Sequence, residues 1–122
     1  MNLNARLTRN RFREVAGEYF QYDGSPLLEE LNSDGINALV GIQRGDGAYT
    51  ILSYDQLHYR TDDGTVGSID YKDILEKFRD ISFDNGKKKK YEYFIFEKDR
   101  IWFHNESVFC AFWNTVSFLH QS

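Results

Sequence analysis

Cysteine is nearly absent from this sequence: among 122 residues only Cys110 carries a thiol. A single cysteine cannot form a disulfide within the chain, which excludes the small disulfide-rich folds and favours a reducing compartment. It also cannot build a structural zinc site, which takes several Cys or His ligands. Because Cys110 stands between Phe109 and Ala111 in an apolar run, we predict that it packs in the core and is not a nucleophile.

Long apolar segments are missing as well. Residues 1–6 lack the apolar stretch of a secretory signal, and no apolar run approaches the ~20 residues needed to cross a bilayer. These two absences lead us to expect a cytoplasmic protein.

Residues arranged for catalysis or for cofactors are also scarce. His58, His104 and His120 lie far apart, without the spacing that metal ligands share. There is no Gly-x-Ser-x-Gly nucleophile turn and no glycine-rich phosphate loop with its lysine. The sequence therefore predicts a protein that is not an enzyme and that holds no cofactor or metal. An enzyme with an unrecognised site stays open as an alternative.

Negative charge prevails: 15 Lys and Arg stand against 19 Asp and Glu, for a net charge of −4. This balance opposes the counterion release on which nucleic-acid binding depends, so we expect no nucleic-acid partner. The acidic residues cluster around one short predicted helix and in and after one predicted hairpin, and such surfaces can steer a basic partner protein. The candidate partner-binding residues are Asp23, Glu29, Glu30, Asp34, Asp62, Asp63, Asp70 and Asp73.

Aromatic residues are abundant at 16%, and hydrophobic residues make up 41% of the chain. Large rings bury much area each, so the chain can form a packed core as a single domain over residues 1–122. We predict an α+β fold with a helical arm over 1–35, strands over 36–105 and a capping helix over 106–120.

Helical periodicity marks both ends of the chain. The spacing of Phe12, Val15, Ala16 and Tyr19 predicts a helical segment within residues 1–22. Ser25 can cap a short second helix that begins at Pro26, where proline loses no hydrogen bond.

The C-terminal segment has the wide apolar face of an amphipathic helix. Phe109, Phe112, Trp113 and Val116 recur at helical spacing, and Asn105 or Ser107 can cap its start. We interpret this aromatic stripe as core packing and not as a ligand platform.

Short strands separated by turn dipeptides fill the middle of the chain. Asp46-Gly47, Asp63-Gly64 and Asn85-Gly86 tolerate the positive φ of tight hairpin turns. The predicted strands are 37–43, 48–53, 56–61, 67–70, 74–83, 90–97 and 100–104. Residues 74–78 can also be interpreted as a helical turn. Alternation over Leu57–Arg60 predicts that one face of that strand meets water, whereas residues 91–96 predict a strand covered on both faces.

A run of lysines, Lys87, Lys88, Lys89 and Lys90, follows Asn85-Gly86. It can be a solvated hairpin tip that keeps an edge from pairing with other chains. It can instead be an anion-binding patch for lipid head groups or other phosphates, with the arginines of the first helix assisting.

From Ile36 onward, the predicted order of strands and a terminal helix resembles the pleckstrin-homology-like superfold in its small bacterial versions. Residues 49–60 look like the strand-turn-strand hairpin of such domains. Residues 67–74 are similar to the Ile-x-Tyr-x-x-Ile segment in which the chain returns to the sheet. The resemblance covers residues 36–120 and implies an antiparallel β-sandwich or partly open barrel of about seven strands, with the terminal helix over an open corner.

The resemblance has two departures. Residues 1–35 form an added helical arm. The phosphoinositide site of the superfold uses basic residues in the first hairpin, where this chain has Arg44-Gly45-Asp46-Gly47. Binding of lipid head groups therefore does not carry over to these positions.

The superfold serves mainly as a scaffold for binding, so we expect a protein-binding module such as a small bacterial immunity or adaptor protein. Membrane or phosphate binding through the lysine run is the alternative.

Overall fold

The computed structural model describes residues 3–80 and 92–121, without the side chains of residues 78–80. These residues form an α+β fold with five α-helices, one 3₁₀ turn (Gly17–Tyr19) and seven strands. The helices are α1 Leu3–Arg9, α2 Phe12–Ala16, α3 Pro26–Ser33, α4 Tyr71–Asp80 and α5 Glu106–His120. The strands are β1 Phe20–Gln21, β2 Val40–Gln43, β3 Tyr49–Leu52, β4 Gln56–Arg60, β5 Val66–Asp70, β6 Tyr93–Phe96 and β7 Asp99–Trp102.

The strands form two antiparallel sheets. The larger sheet has the order β1-β2-β3-β4-β5, and β6 pairs with β7 in a separate hairpin. No closed barrel is formed by the described residues. The hairpin is tied to the larger sheet through side chains: Thr50 Oγ1 donates to the Trp102 carbonyl, and Arg44 donates to the Tyr93 hydroxyl at 2.9 Å.

The larger sheet separates two hydrophobic clusters of unequal size. On its inner face, Val40, Leu52 and Leu57 pack with α2, α4, α5 and the β6–β7 hairpin. On its outer face, α3 packs against Tyr49 and Ile51 together with Ala38. Since successive side chains of a strand point to opposite faces, the alternation along β3 and β4 determines which residues enter each cluster.

Helix α5 is the centre of the inner cluster, as its apolar spacing predicts. Asn105 accepts a hydrogen bond from the Val108 N–H at 2.9 Å and so caps the helix. The Phe103 ring lies edge-on to Phe109 and Phe112, with centroids 5.2 and 5.0 Å apart. Phe12 of α2 packs edge-on against Phe112 at 4.9 Å, so the N-terminal arm belongs to the same core.

Two predicted elements are wrong. The strand predicted over 74–83 is helix α4 as far as Asp80, and residues 81–83 lie outside the described residues. The helical arm contains a strand, β1, which pairs with β2 and extends the sheet. The strand count of seven is met in the described residues because β1 replaces the strand that α4 removes. The predicted uninterrupted run of strands over 36–105 is therefore broken by a helix.

Two burial predictions are also wrong. Cys110 is exposed, because it lies on the side of α5 that faces away from Phe109 and Phe112. Ile95 of β6 is 56% exposed, so the face of this strand that carries Tyr93 and Ile95 is only partly covered. The prediction for β4 is confirmed: Leu57 and Tyr59 are buried, whereas Arg60 is exposed.

Among the helices of the described residues, none has the length and apolar character needed to span a bilayer.

Candidate functional site

The outer face of the larger sheet is only half covered. Helix α3 lies over β2 and β3, where Leu27, Leu28 and Leu31 contact Tyr49 and Ile51. No helix of the described part of the chain covers the same face of β4 and β5. The side chains that point from it are Gln56, His58, Arg60, Val66, Ser68 and Asp70, and we call this surface the open face.

The strand register shows that these residues share one surface. His58 lies opposite Ile51 on β3 and opposite Ser68 on β5, and directly opposed residues point to the same face. Val66 lies opposite Arg60 and is 64% exposed. The open face thus continues the outer cluster under α3 to the edge of the sheet.

Two of the predicted acidic residues flank the open face from α3. The Tyr49 side chain lies beside Arg60 of the open face and within the field of Glu30 and Asp34. Burial raises the pKa of Tyr49, Arg60 lowers it, and the two carboxylates raise it further. Glu30 and Asp34 are therefore close to the covered boundary of the open face, and both are exposed.

Two further predicted acidic residues lie at the hairpin that joins β4 to β5. The Asp63 carboxylate accepts hydrogen bonds from the Thr61 hydroxyl and from the Thr65 N–H at 3.1 Å. These bonds lower the pKa of Asp63 to about 2, so it is charged at neutral pH and also holds the turn. Asp62, next to it, is exposed.

The opposite end of β5 also carries carboxylates. Asp70 belongs to the open face and accepts a hydrogen bond from Gln56 Nε2 at 2.7 Å. Asp73 is exposed in the first turn of α4, which begins directly after β5. Carboxylates therefore stand at both ends of β5.

The remaining predicted sites are not brought to the open face. Asp23 and Glu29 line a separate groove of about 300 Å³ beside α3, together with Leu3 and Tyr22. The predicted anion-binding run 87–90 lies outside the described residues.

Ser53, Asp55 and His58 form a polar cluster at the turn before β4. His58 Nε2 lies 3.3 Å from Ser53 Oγ, and the same hydroxyl lies 3.4 Å from Asp55 Oδ1. The carboxylate therefore approaches the serine and not the second ring nitrogen, unlike the order of a catalytic triad. Ser53 Oγ also bonds the Gln56 backbone carbonyl at 3.0 Å, which is the bond of a serine that stabilises a turn. Burial lowers the pKa of His58 and Asp55 partly opposes this shift, so the neutral imidazole is favoured on the open face.

Arginines that the sequence left as possible anion ligands are engaged within the fold. Arg6 lies over the Phe118 ring and Arg13 over the Phe20 ring, each 4.7 Å from the centroid. Arg11 donates to Glu14 at 2.7 Å. The Arg6 contact packs α1 against α5, whereas the contacts of Arg13 and Arg11 lie within the N-terminal arm.

Arg44, the basic residue of the first long hairpin, is also engaged. Its Nη2 donates to Asp46 at 2.8 Å, and its guanidinium lies 5.1 Å from the Trp102 ring centroid. The hydrogen bond with Asp46 raises the pKa of Arg44 above its usual range. Its contacts join this hairpin to β7 and leave fewer donors for an anionic ligand.

Comparisons with protein-family models, with curated proteins and with solved structures found no significant match to this chain. Side chains grouped to hold a metal ion, three or more of His, Cys, Asp and Glu, do not occur among the described residues.

Sequence reasoning found Asp70 and the carboxylates around the open face, but it missed Val66 and Ser68. The alternation in Leu57–Arg60 correctly indicates that one face of β4 meets water. It does not indicate how far α3 reaches across the sheet, and that reach decides which strands remain uncovered.

Proposed function

We propose that this chain is a non-catalytic protein-binding module whose open face receives a basic partner protein. The observation that carries the proposal is the half-covered outer sheet face, which exposes Val66 between carboxylates on α3, at the β4–β5 hairpin and at the start of α4. An apolar contact surrounded by charged groups has the general composition of a protein interface.

Electrostatics supports a basic partner over an acidic one. Glu30, Asp34, Asp62 and Asp70 are exposed around the surface, whereas Arg60 is the cation that projects from the open face itself. The net charge of −4 adds an attractive field at longer range for a basic protein. Such charges mainly raise the association rate, and they do so less at high salt.

Small immunity and adaptor proteins are the class of module to which we assign this role, in the bacterial cytoplasm. The resemblance to the pleckstrin-homology-like superfold supports this assignment, since that scaffold serves mainly for binding. The single cysteine supports a reducing compartment.

Affinity capture from the source cells, followed by mass spectrometry, tests the proposal. Captured proteins should be basic, and their complex with the purified chain should weaken as salt rises. The informative variant is Glu30→Gln with Asp34→Asn, and the matched control is Asp23→Asn with Glu29→Gln, which removes equal charge from the far side of α3.

We expect the first pair to slow association about tenfold and the control pair to leave it nearly unchanged. Equal effects of the two pairs, or an acidic partner, would contradict the proposed surface.

The alternative, binding of anionic membranes or phosphate through Lys87–Lys90, stays a prediction. Flotation with vesicles containing phosphatidylserine tests it, and binding that is lost in Lys88→Glu with Lys89→Glu would favour it over the protein partner.

A further inference from the structure

We propose that the edge of β5, which no described strand of this chain occupies, accepts an extended segment of the basic partner as an added antiparallel strand of the larger sheet. This inference rests on the proposed function and adds how the partner is recognised.

The hydrogen-bond register shows which backbone groups of β5 point outward. Thr61 N donates to the Thr65 carbonyl at 2.9 Å, and Tyr71 N donates to the Asp55 carbonyl at 3.2 Å. Because hydrogen-bonded pairs alternate with non-hydrogen-bonded pairs in an antiparallel ladder, Gly67 and Ile69 also bond to β4. The N–H and C=O groups of the intervening residues therefore point away from β4.

Those intervening residues are Val66, Ser68 and Asp70, and no strand of the described residues pairs with their side of β5. Protein edges are usually protected by a lysine, a proline or a bulge. Strand β5, with the sequence Val-Gly-Ser-Ile-Asp, contains none of the three and pairs residue for residue with β4. An unprotected edge of this kind is a template for strand addition.

Charge selects the occupant. Asp62 and Asp63 stand before β5, and Asp70 and Asp73 stand at and after its end. A second copy pairing antiparallel about Ser68 would bring Asp63 of each chain towards Asp73 of the other, and like charges across strands are destabilising. An extended segment with Lys or Arg at both ends would instead meet opposite charge at both ends.

Selection from a phage-displayed library of random twelve-residue peptides tests the inference. We expect enriched peptides to be basic and rich in β-branched residues, and to bind with an affinity that falls as salt rises. Amide hydrogen exchange supplies the local readout: in the free protein the Val66 and Ser68 amides should exchange fast, and the bound peptide should slow both of them.

Ser68→Pro is the informative variant, because proline removes an outward N–H that the fold does not use and is tolerated on an edge strand. Its matched control is Ser68→Ala, which keeps the N–H. The proline variant should weaken peptide binding at least tenfold, whereas the alanine variant should bind like the wild type.

Two further arms keep the inference open to refutation if Ser68→Pro unfolds. Val66→Lys should repel the selected peptides, and methylation of alternate peptide backbone nitrogens should abolish binding in one of the two possible alternations. Three results would overturn strand addition. The first is a selection that enriches no peptide, and the second is binding that survives both Ser68→Pro and peptide methylation. The third is protection from amide exchange that is confined to α3. A partner that still depends on Glu30 and Asp34 in any of those cases would leave the proposed function standing.

Discussion

The Tyr59 hydroxyl donates a hydrogen bond to the Asp99 carboxylate at 2.5 Å and so joins the larger sheet to the β6–β7 hairpin. The Tyr59 side chain lies against Gly67, where an added Cβ would come within 2.4 Å of the hydroxyl oxygen. The same tyrosine therefore positions the hairpin on one side and the edge strand β5 on the other. This arrangement makes Tyr59 a sensitive site at which to test the packing of the two sheets.

Tyr59→Phe should lower the free energy of unfolding by about 2 kcal/mol, since a hydrogen bond to a charged group is lost. Asp99→Asn should cost less, because an amide oxygen can still accept the bond. A double-mutant cycle by urea denaturation should give a coupling of about 1 kcal/mol. Tyr54→Phe, at a tyrosine that is 53% exposed, is the control and should change stability by less than about 0.5 kcal/mol. Additive effects of Tyr59→Phe and Asp99→Asn would contradict a direct bond.

Alkaline conditions should destabilise the fold through two tyrosines. Burial and then the bond to Asp99 raise the pKa of Tyr59 from 10.0 to about 12, and burial raises the pKa of Tyr71 above its usual range. Because both pKa values are higher in the folded than in the unfolded chain, the contribution of each tyrosine is complete below pH 10. The contribution of Tyr59 is lost as the pH rises through 12, and that of Tyr71 also falls above pH 10.

Urea unfolding at several pH values, with phenolate absorbance as a monitor, checks this expectation. Between pH 10 and pH 12 the free energy of unfolding should fall more steeply for the wild type than for Tyr59→Phe. Identical slopes would show that Tyr59 ionises with its ordinary pKa in the folded state.

Gly41→Ala should be strongly destabilising. A Cβ at Gly41 would lie 2.2 Å from the Thr50 carbonyl oxygen and 2.7 Å from the Ile51 Cα, and backbone atoms cannot move aside without breaking the β2–β3 ladder. We expect a loss of about 3 kcal/mol in the free energy of unfolding. Gly45→Ala is the control, since a Cβ there meets nothing within 4 Å, and it should be neutral or slightly stabilising. Similar effects at both glycines would contradict the close approach of β2 to β3.

Cys110 should react slowly with iodoacetamide at pH 7 although it is exposed. Partial burial and the nearby Glu106 carboxylate raise the pKa of its thiol above 9.0, so little reactive thiolate is present. Glu106→Gln should speed alkylation modestly by removing the second cause. A reaction rate above that of free cysteine would show that the thiol is activated and would reopen the question of a nucleophile.

Local signals in the sequence predicted much of the secondary structure. Ser25 and Pro26 indicate where α3 begins, and Ser25 Oγ does accept from the Leu28 N–H at 3.2 Å. The apolar spacing in residues 106–120 predicts α5 with its observed bounds. Such signals succeed because capping and amphipathic spacing act over a few residues and depend little on the rest of the chain.

Elements that depend on distant partners were predicted poorly. Strand β1 is two residues long and exists because Phe20 and Gln21 pair with Ile42 and Gly41. The short apolar pattern of α4 fits the period of a strand as well as that of a helix, and the packing of Tyr71 and Ile74 into the inner cluster selects the helix. The open face was likewise beyond the sequence, since a strand's own alternation does not show how much of a sheet a helix covers.

By itself, the sequence determined the α+β class, the aromatic capping helix, the acidic balance and the turns at Asp46-Gly47 and Asp63-Gly64, because composition, spacing and turn chemistry act locally. The turn predicted at Asn85-Gly86 lies outside the described residues. Only the tertiary structure decided that β1 extends the sheet, that α3 stops short of β4, and that Val66 and Ser68 point their backbone groups outward between carboxylates. Those features arise from pairing register and from the area one helix can cover, and both are properties of residues far apart in the chain.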